Sequence, residues 1–529
     1  MLELAGHLPS EAAEALLDLA TGVKPRVTEP AAAGVDPFAH PDAQRRFRVM
    51  VNVEELERAL NYPWDKWAVF LQPAQRALVE RDYSGPARVA GSAGTGKTIV
   101  ALHRAVFLAR ANPEARVLLT TFPDALSNAL RVKLRGLISN EPRLAERLEV
   151  HSMNAIGLRL YELNFGRAKI APIETIKELL REAADSTGRN NASLHFLVTE
   201  WEQVVDAWQL DSWESYRDVP RLGRKTRLRE SQRTLLWTVF ERVQVQLHAR
   251  GLVTFSEVFS RVASKLRENA HPPFEFAVVD EAQDVSIQQL RFLASPGAGR
   301  RNGLFFAGDL GQRIFQQPFS WIALGADVRG RSTTLRTNYR TSHQIRRQAD
   351  RLLGPEVSDV DGNTENRRGT ISTFNGPQPD IMVLGSAEEE IKAVSRWLTE
   401  RTKEGVAAHE IGVFVRSADE LARARSAVEG AKLPYKVLDE HAETTTGRVS
   451  ISIMHLAKAL EFRTVVVMAC DDEVIPLQQR IETVADDAEL EEVYNTERHL
   501  LYVACTRARD HLLVTSADPA SEILDDLRE

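Results

Sequence analysis

The chain has 529 residues but only two cysteines, Cys470 and Cys505, far apart in sequence. That excludes a disulfide framework or a thiolate metal cluster, and both thiols are expected to be reduced and buried. No apolar run approaches the ~20 residues a membrane-crossing helix needs. The start, MLELAGHLPSEAAEALL, also lacks the basic lead of a signal peptide, so a cytoplasmic protein without a membrane partner is expected. A basic surplus is missing too: 67 Lys and Arg against 74 Asp and Glu leave a net charge of −7. A uniformly basic coat is thereby excluded, though a basic channel is not. What remains, 43% hydrophobic and 27% charged residues, is ordinary for a chain of several domains with substantial cores.

Against this plain background residues 91–98 read GSAGTGKT, after a strand-like run (Ala87 to Ala90) and before a helix-like one (Ile99 to Ala109). That is a Walker A loop in its proper context. Gly91, Gly94 and Gly96 allow the backbone N–H groups of Ser92, Ala93 and Thr95 to curl around phosphate oxygens. Lys97 would neutralise the β- and γ-phosphates of ATP, and the Thr98 hydroxyl would join the shell of Mg²⁺ at the start of the helix. A Gly-rich turn that merely caps a helix does not account for the GKT triplet at this offset.

The next motif is acidic: FAVVDEAQD (Phe276 to Asp284), a strand followed by carboxylates. Asp280 is placed to hold Mg²⁺, directly or through water, and Glu281 to orient and deprotonate the attacking water.

With DEAQD and the segments around it, the chain resembles superfamily 1A helicases of the UvrD/Rep/PcrA type, over about residues 68 to 515. LQPAQRALV resembles the Q motif, whose glutamine, here Gln75, reads the adenine edge. TTFPDAL resembles motif Ia, VHSMNAIG the following DNA-contacting segment, and FFAGDLGQRIF motif III with Gln312 as γ-phosphate sensor. LRTNYRTS resembles motif IV, in which Tyr339 stacks on the base and Arg340 reaches the γ-phosphate. ISIMHLAKALEF resembles motif V, where the counterpart of Glu461 bonds the ribose, and ERHLLYVACTRAR motif VI, whose arginine is Arg507. Ala459 stands where the family usually has glycine. The resemblance implies an α/β fold of two RecA-like P-loop NTPase lobes with parallel sheets, plus an inserted helical 1B domain. Arg340 and Arg507, far downstream of the loop, would then belong to a second lobe that closes on the nucleotide as arginine fingers in cis.

The organisation expected along the chain is an N-terminal extension and linker (1–66), the first part of lobe 1A (67–155), the 1B insertion (156–250), the second part of lobe 1A (251–338) and lobe 2A (339–529). Pro9 to Ala20 reads as a short helix, the following Pro- and Ala-rich segment as a linker, and residues 45–71 as packing on the first lobe. Trp201, Val204, Val205 and Trp208 share a helical face and read as core. Strands are expected at Val117 to Thr121, Leu304 to Ala307, Ile381 to Leu384, Ile411 to Val415, Ser450 to Ile453, Val465 to Met468 and His511 to Val514. The stretch from Arg340 to His455 is too short for the large 2B domain of the full-length relatives, so an absent or reduced 2B domain is expected, and so is the lack of an appended nuclease after Arg507.

Candidate DNA contacts are Phe122, His151, Trp321 and His455, with Phe319 a rival to Trp321 because QQPFSW inserts residues before the tryptophan. The run Arg221 to Arg233 carries six basic residues and reads either as a phosphate track or as a solvated face. The acidic stretch Asp471 to Glu497 reads as a surface loop. The expected activity is an ATP-dependent helicase or translocase moving 3′ to 5′ on single-stranded or 3′-tailed duplex DNA, monomeric by default. The alternatives are a DNA-stimulated ATPase that remodels nucleoprotein complexes without unwinding and an ATP-gated subunit of a nuclease or defence complex. A partner such as a nuclease or polymerase fits each of them.

Overall fold

The computed structural model describes residues 71–528, apart from 123, 139–140, 188–191, 220–227, 270, 298, 310–318, 355, 363, 367–368, 440–442, 459, 483 and 485–486. The expectations for the N-terminal extension, for Arg221 to Arg227 of the basic run, for Gln312 and for Ala459 lie outside the described residues.

Short runs of small and branched residues build the first lobe. ARVA, VLLTT and LFFA are buried along their whole length, as strands covered on both faces must be. Strands β1 (Ala87–Ala90), β2 (Val117–Thr121), β3 (Leu148–Ser152), β4 (Phe276–Val279), β5 (Leu304–Ala307) and β6 (Ser332–Thr334) form one sheet in the order β3-β2-β4-β5-β1-β6. Every pairing in it is parallel. A parallel sheet brings the carboxyl ends of its strands to one edge, where ligands of such folds bind. The phosphate loop leaves β1 there, and Asp280 and Glu281 leave β4.

Between β3 and β4 the chain makes a helical excursion. The helix Met153–Phe165 starts on the Ser152 hydroxyl, which accepts from the Ala155 N–H. It crosses the expected boundary at 155, because Met153, Ile156 and Leu160 pack into the first-lobe core. A separate core begins at Ala171, built by the helices Ile173–Thr187, Leu194–Glu200, Trp213–Asp218 and Glu230–Ala249 around Leu180, Val205, Tyr216, Val239 and Phe240. Trp201 is 2% exposed within it, a core residue, and opens a π-helical turn, Trp201–Val205. Trp208 is half-buried beneath the Arg291 guanidinium.

The second lobe starts with β7 (Thr337–Asn338), the antiparallel hairpin β8 (Glu356–Ser358) and β9 (Thr364–Asn366), and β10 (Ile371–Ser372), which pairs with β7. Its main sheet comprises β11 (Asp380–Leu384), β12 (Ile411–Val415), β13 (Tyr435–Val437), β14 (Val449–Ile453), β15 (Phe462–Val467) and β16 (Ala508–Ala517), in the order β11-β16-β15-β12-β14-β13 and parallel throughout. The expected strands of both lobes are present within a few residues, whereas β6 and β13, three residues each at sheet edges, carry too short a pattern to read. The acidic stretch Asp471 to Glu497 is not simply a loop: the helix Asp487–Cys505 takes up its second half, because apolar residues at Val493, Leu500 and Leu501 give that segment a buried face. Cys470 and Cys505 are free and fully buried, and burial pushes both thiols up, that of Cys505 to about 12. Among the described residues no helix is long and apolar enough to cross a membrane.

Candidate nucleotide and nucleic-acid site

Two close approaches make the phosphate loop what it is. Gly94 and Gly96 sit in the left-handed region, at φ 81° and 84°, and a Cβ on either would collide with a neighbour. On Gly94 it would lie 2.4 Å from Asn338 Oδ1, and on Gly96 2.5 Å from Gln75 Nε2. The Lys97 ammonium donates to the carbonyls of Gly91 (2.8 Å) and Ser92 (3.1 Å) and lies 3.9 Å from the fully buried Asp309 carboxylate. The Thr95 hydroxyl closes the turn on Ser92 O at 2.9 Å. Gln75, 4% exposed, donates from Nε2 to Thr95 O at 3.1 Å and accepts from the Gln72 N–H at 3.0 Å, so the helix Pro73–Glu80 grips the loop from behind.

Asp280 is 1% exposed at the end of β4, and its Oδ2 finds no hydrogen-bond partner. Burial pushes its carboxyl up to about 7; the adjacent Glu281 charge adds to that, while the Thr98 hydroxyl and the Lys97 charge work against it. A buried, orphaned carboxylate oxygen next to a threonine hydroxyl matches the hard-oxygen shell of Mg²⁺, so these residues fit the ion. Glu281 adopts the left-handed conformation at φ 53°, a strained geometry for a side chain with a Cβ. Its Oε2 accepts from Gln283 Nε2 at 2.5 Å, and Gln283 Oε1 accepts from the Asp309 N–H at 3.0 Å. The acidic motif and the end of β5 are thus one hydrogen-bonded unit.

The second lobe reaches this site along its own connecting strand. Leu335 N donates to Ala90 O at 2.8 Å, Asn338 Nδ2 to Ala93 O at 2.9 Å, and Tyr339 N to Gly94 O at 2.9 Å. Asn338 Oδ1 also accepts from the N–H groups of Arg340 and Thr341. Arg340 pairs with the Glu461 carboxylate. Arg507 is 3% exposed and anchored on Val503 O at 3.1 Å; burial pulls its guanidinium down to about 10, Arg340 adds repulsion, and Glu281 and Glu461 work the other way. Those charges belong to one cluster, so the structure brings Lys97, Asp280, Glu281, Arg340, Glu461 and Arg507 together from both lobes. Lys458 Nζ bonds both oxygens of Asp284, at 2.6 and 2.8 Å, in an ion pair about one-tenth exposed. This direct lobe-to-lobe bridge links motif V to the last residue of DEAQD.

The DNA candidates are more dispersed. Phe122 is half-buried against the first-lobe core. His151 bonds Glu149 Oε2 at 3.0 Å within a group that includes Arg116 and Arg159. Phe319 is a core residue at 5% exposure, whereas Trp321 is only partly buried, edge-on to Phe306 at 4.8 Å. His455 is pulled down to about 4 by burial and by the Arg416 and Arg480 charges, so its imidazole is neutral at pH 7. Sequence reasoning overlooked Asp309, Gln283 and Asn338. Asp309 and Gln283 lie within motif strings, and Asn338 sits beside the residues read as functional, but each acts by holding another group. Among the described residues no three His, Cys, Asp or Glu cluster as a separate metal site.

Two lobes, each built on a parallel sheet and meeting at a Walker loop, with acids from one and arginines from the other, define a two-lobed P-loop NTPase fold of RecA-like architecture. The chain belongs to the UvrD/Rep helicase family: residues 71–319 match the UvrD/REP helicase N-terminal domain and residues 438–518 the UvrD-like helicase C-terminal domain, together more than half of its length. It is 43% identical over 79 residues to a putative ATP-dependent DNA helicase, YjcD, of Bacillus subtilis (15% of this chain, 9% of that one). It is 40% identical over 78 residues to the ATP-dependent DNA helicase PcrA of Staphylococcus epidermidis (15% and 10%). With the ATP-dependent DNA helicase UvrD1 of Mycobacterium leprae it shares 38% over 79 residues (15% and 9%). These matches span about a tenth of the curated relatives' length. The C-terminal domain of a possible DNA helicase from Lactobacillus plantarum aligns at TM-score 0.26 and 20% identity, over 36% of this chain and 93% of that one.

Proposed function

We propose that this chain is an ATP-driven motor on single-stranded DNA, a helicase or translocase moving 3′ to 5′, in which hydrolysis is coupled to closure of the two lobes. The observation that carries this reading is the pair of second-lobe arginines, Arg340 and Arg507, in one charge cluster with Glu281 of the first. The loop N–H groups and Lys97 bind the phosphates of ATP, Gln75 meets the adenine edge, Tyr339 stacks on the base, and Glu461 exchanges Arg340 for the ribose. Glu281 takes the proton of the attacking water, and Arg340 and Arg507 stabilise the charge on the transferred γ-phosphoryl. Thr98 and Asp280 would hold Mg²⁺, which supplies neutralisation of phosphate charge. Gln312 senses the γ-phosphate, whose loss lets the lobes reopen. Phe122, His151, Trp321 and His455 contact the strand. The helical 1B insertion expected at 156–250, with its own core from Ala171 onward, interrupts lobe 1A, and lobe 2A follows from β7 onward.

A second reading is a DNA-stimulated ATPase that remodels nucleoprotein complexes without strand separation. It is favoured by the described residues between Arg340 and His455, which are taken up by β8 to β14 and their helices. Hydrolysis measured with and without single-stranded DNA, beside strand separation on 3′- and 5′-tailed duplexes, decides between them. Stimulation with 3′-tail unwinding is the expected result; stimulation alone selects the remodeller, and no stimulation overturns both.

A further inference from the structure

The short helical turn that begins at Trp321, in the first lobe, is capped by a residue of the second. Asp361 lies between β8 and β9, and its Oδ2 accepts from the N–H groups of Trp321 at 2.6 Å and Ile322 at 3.2 Å. Its Oδ1 accepts from the Ser320 hydroxyl at 2.5 Å. A helical turn exposes N–H groups that need an acceptor, and one normally comes from the residue before it. Here Trp321 offers no side-chain cap to the turn Ile322–Leu324, the Ser320 hydroxyl accepts from the Ala323 N–H alone, at 3.0 Å, and the two preceding N–H groups, of Trp321 and Ile322, go to Asp361.

The same hairpin holds a second point of the first lobe. The Asp359 carboxylate pairs with Arg88 at 3.5 Å, with the two side chains 9% and 5% exposed, and its Oδ1 accepts from the Asp361 N–H at 3.0 Å. Arg88 sits on β1, three residues before the phosphate loop. One turn of the second lobe therefore touches both the strand that feeds the loop and the backbone that carries a partly exposed tryptophan. A narrow pocket lined by Arg88, Gln283, Gly308, Phe319, Trp321 and Asp359 lies between the two anchors.

We propose that Asp361 is a positioning residue for single-stranded DNA: it caps the Trp321 turn from the opposite lobe, so that the indole is presented to a base only when the lobes are in register. This rests on the reading of Trp321 as a base-stacking platform. Capping fixes the backbone on which the indole is mounted, and a base on an aromatic ring loses much of its gain when the ring is not held. Because the acceptor rides on the second lobe, DNA affinity and lobe position become linked through one carboxylate.

The test uses the full chain and an oligothymidylate, measuring ATP turnover against oligonucleotide concentration for the parent, Asp361→Ala, Asp361→Asn and Trp321→Ala. Asp361→Ala should raise the half-stimulating concentration roughly tenfold while turnover at saturating oligonucleotide changes less than twofold. Asparagine, a comparable cap, should recover most of the loss, and Asp361→Ala combined with Trp321→Ala should be no worse than Trp321→Ala alone. Should the alanine variant not fold, Asp361→Glu, which keeps the charge but displaces the acceptor, should shift the concentration in the same direction. A raised half-stimulating concentration in Trp321→Ala but not in the Asp361 variants overturns the cap while leaving the tryptophan platform standing. No change in Trp321→Ala overturns both. A parent that oligothymidylate does not stimulate overturns the motor reading itself, and the positioning role with it.

Discussion

The first lobe prepares its ligand site largely with backbone, the second with single side chains. From the first come the curled loop 91–98 and two carboxylates at the end of one strand; from the second come Asn338, Arg340, Lys458 and Arg507, drawn from separate segments. A backbone cradle is rigid and binds whether or not the lobes are closed, whereas isolated side chains from another body contribute only when that body is in place. On the proposed reading this division assigns binding to the first lobe and timing to the second.

The sharpest way to break this comparison is to disable each lobe separately. Lys97→Ala should abolish nucleotide-dependent activity, while Glu281→Gln should keep ATP binding, read by equilibrium titration, and slow hydrolysis by roughly two to four orders of magnitude. Normal hydrolysis in Glu281→Gln would remove the first lobe's claim to the chemistry. On the second lobe, Arg507→Ala and Arg340→Ala should each reduce turnover by roughly 10³ with a much smaller change in ATP affinity, as measured by single-turnover kinetics. Loss of binding to the same degree as loss of turnover would erase the distinction between the lobes.

A smaller effect is expected at the bridge. A double-mutant cycle on Lys458→Met and Asp284→Asn should give a coupling of about 1–3 kcal/mol in ATP-dependent closure, followed by small-angle scattering; additive effects would mean the pair carries no closure. The smallest effect concerns stability. His455 is held near 4 in the folded chain against 6.5 unfolded, so its contribution is present above pH 6.5 and is lost as pH falls through the folded value. Between pH 7 and 5.5 the parent should lose about 1 kcal/mol more than His455→Gln in denaturant unfolding.

Legibility in the sequence follows the same division. GSAGTGKT announces itself because a backbone conformation demands particular residues at consecutive positions, and buried parallel strands such as ARVA and IGVFV stand out as apolar runs. Arg340, Glu461 and Arg507 stood out only by resemblance, since an isolated arginine has no local pattern. Asn338 reads as a spacer in LRTNYRTS, yet it bonds the loop and the N–H groups of Arg340 and Thr341 just after its own strand. The hydrogen-bond partners of Gln75, Asp309 and Asp361 lie 20, 26 and 40 positions away, that of Asp361 across the lobes, and the Tyr83–Asn302 contact spans 219, so no local spacing encodes them.

The segment from Leu335 to Tyr339 is bonded to the end of β1 at Ala90 and to the phosphate loop at Ala93 and Gly94, and is also the polypeptide that leads into the second lobe. Fulcrum and ligand seat are therefore the same few residues. A lever loaded at its fulcrum moves little there and much at its far end, so a sub-ångström adjustment around the γ-phosphate would be read out as a larger swing wherever the lobes meet a strand of DNA.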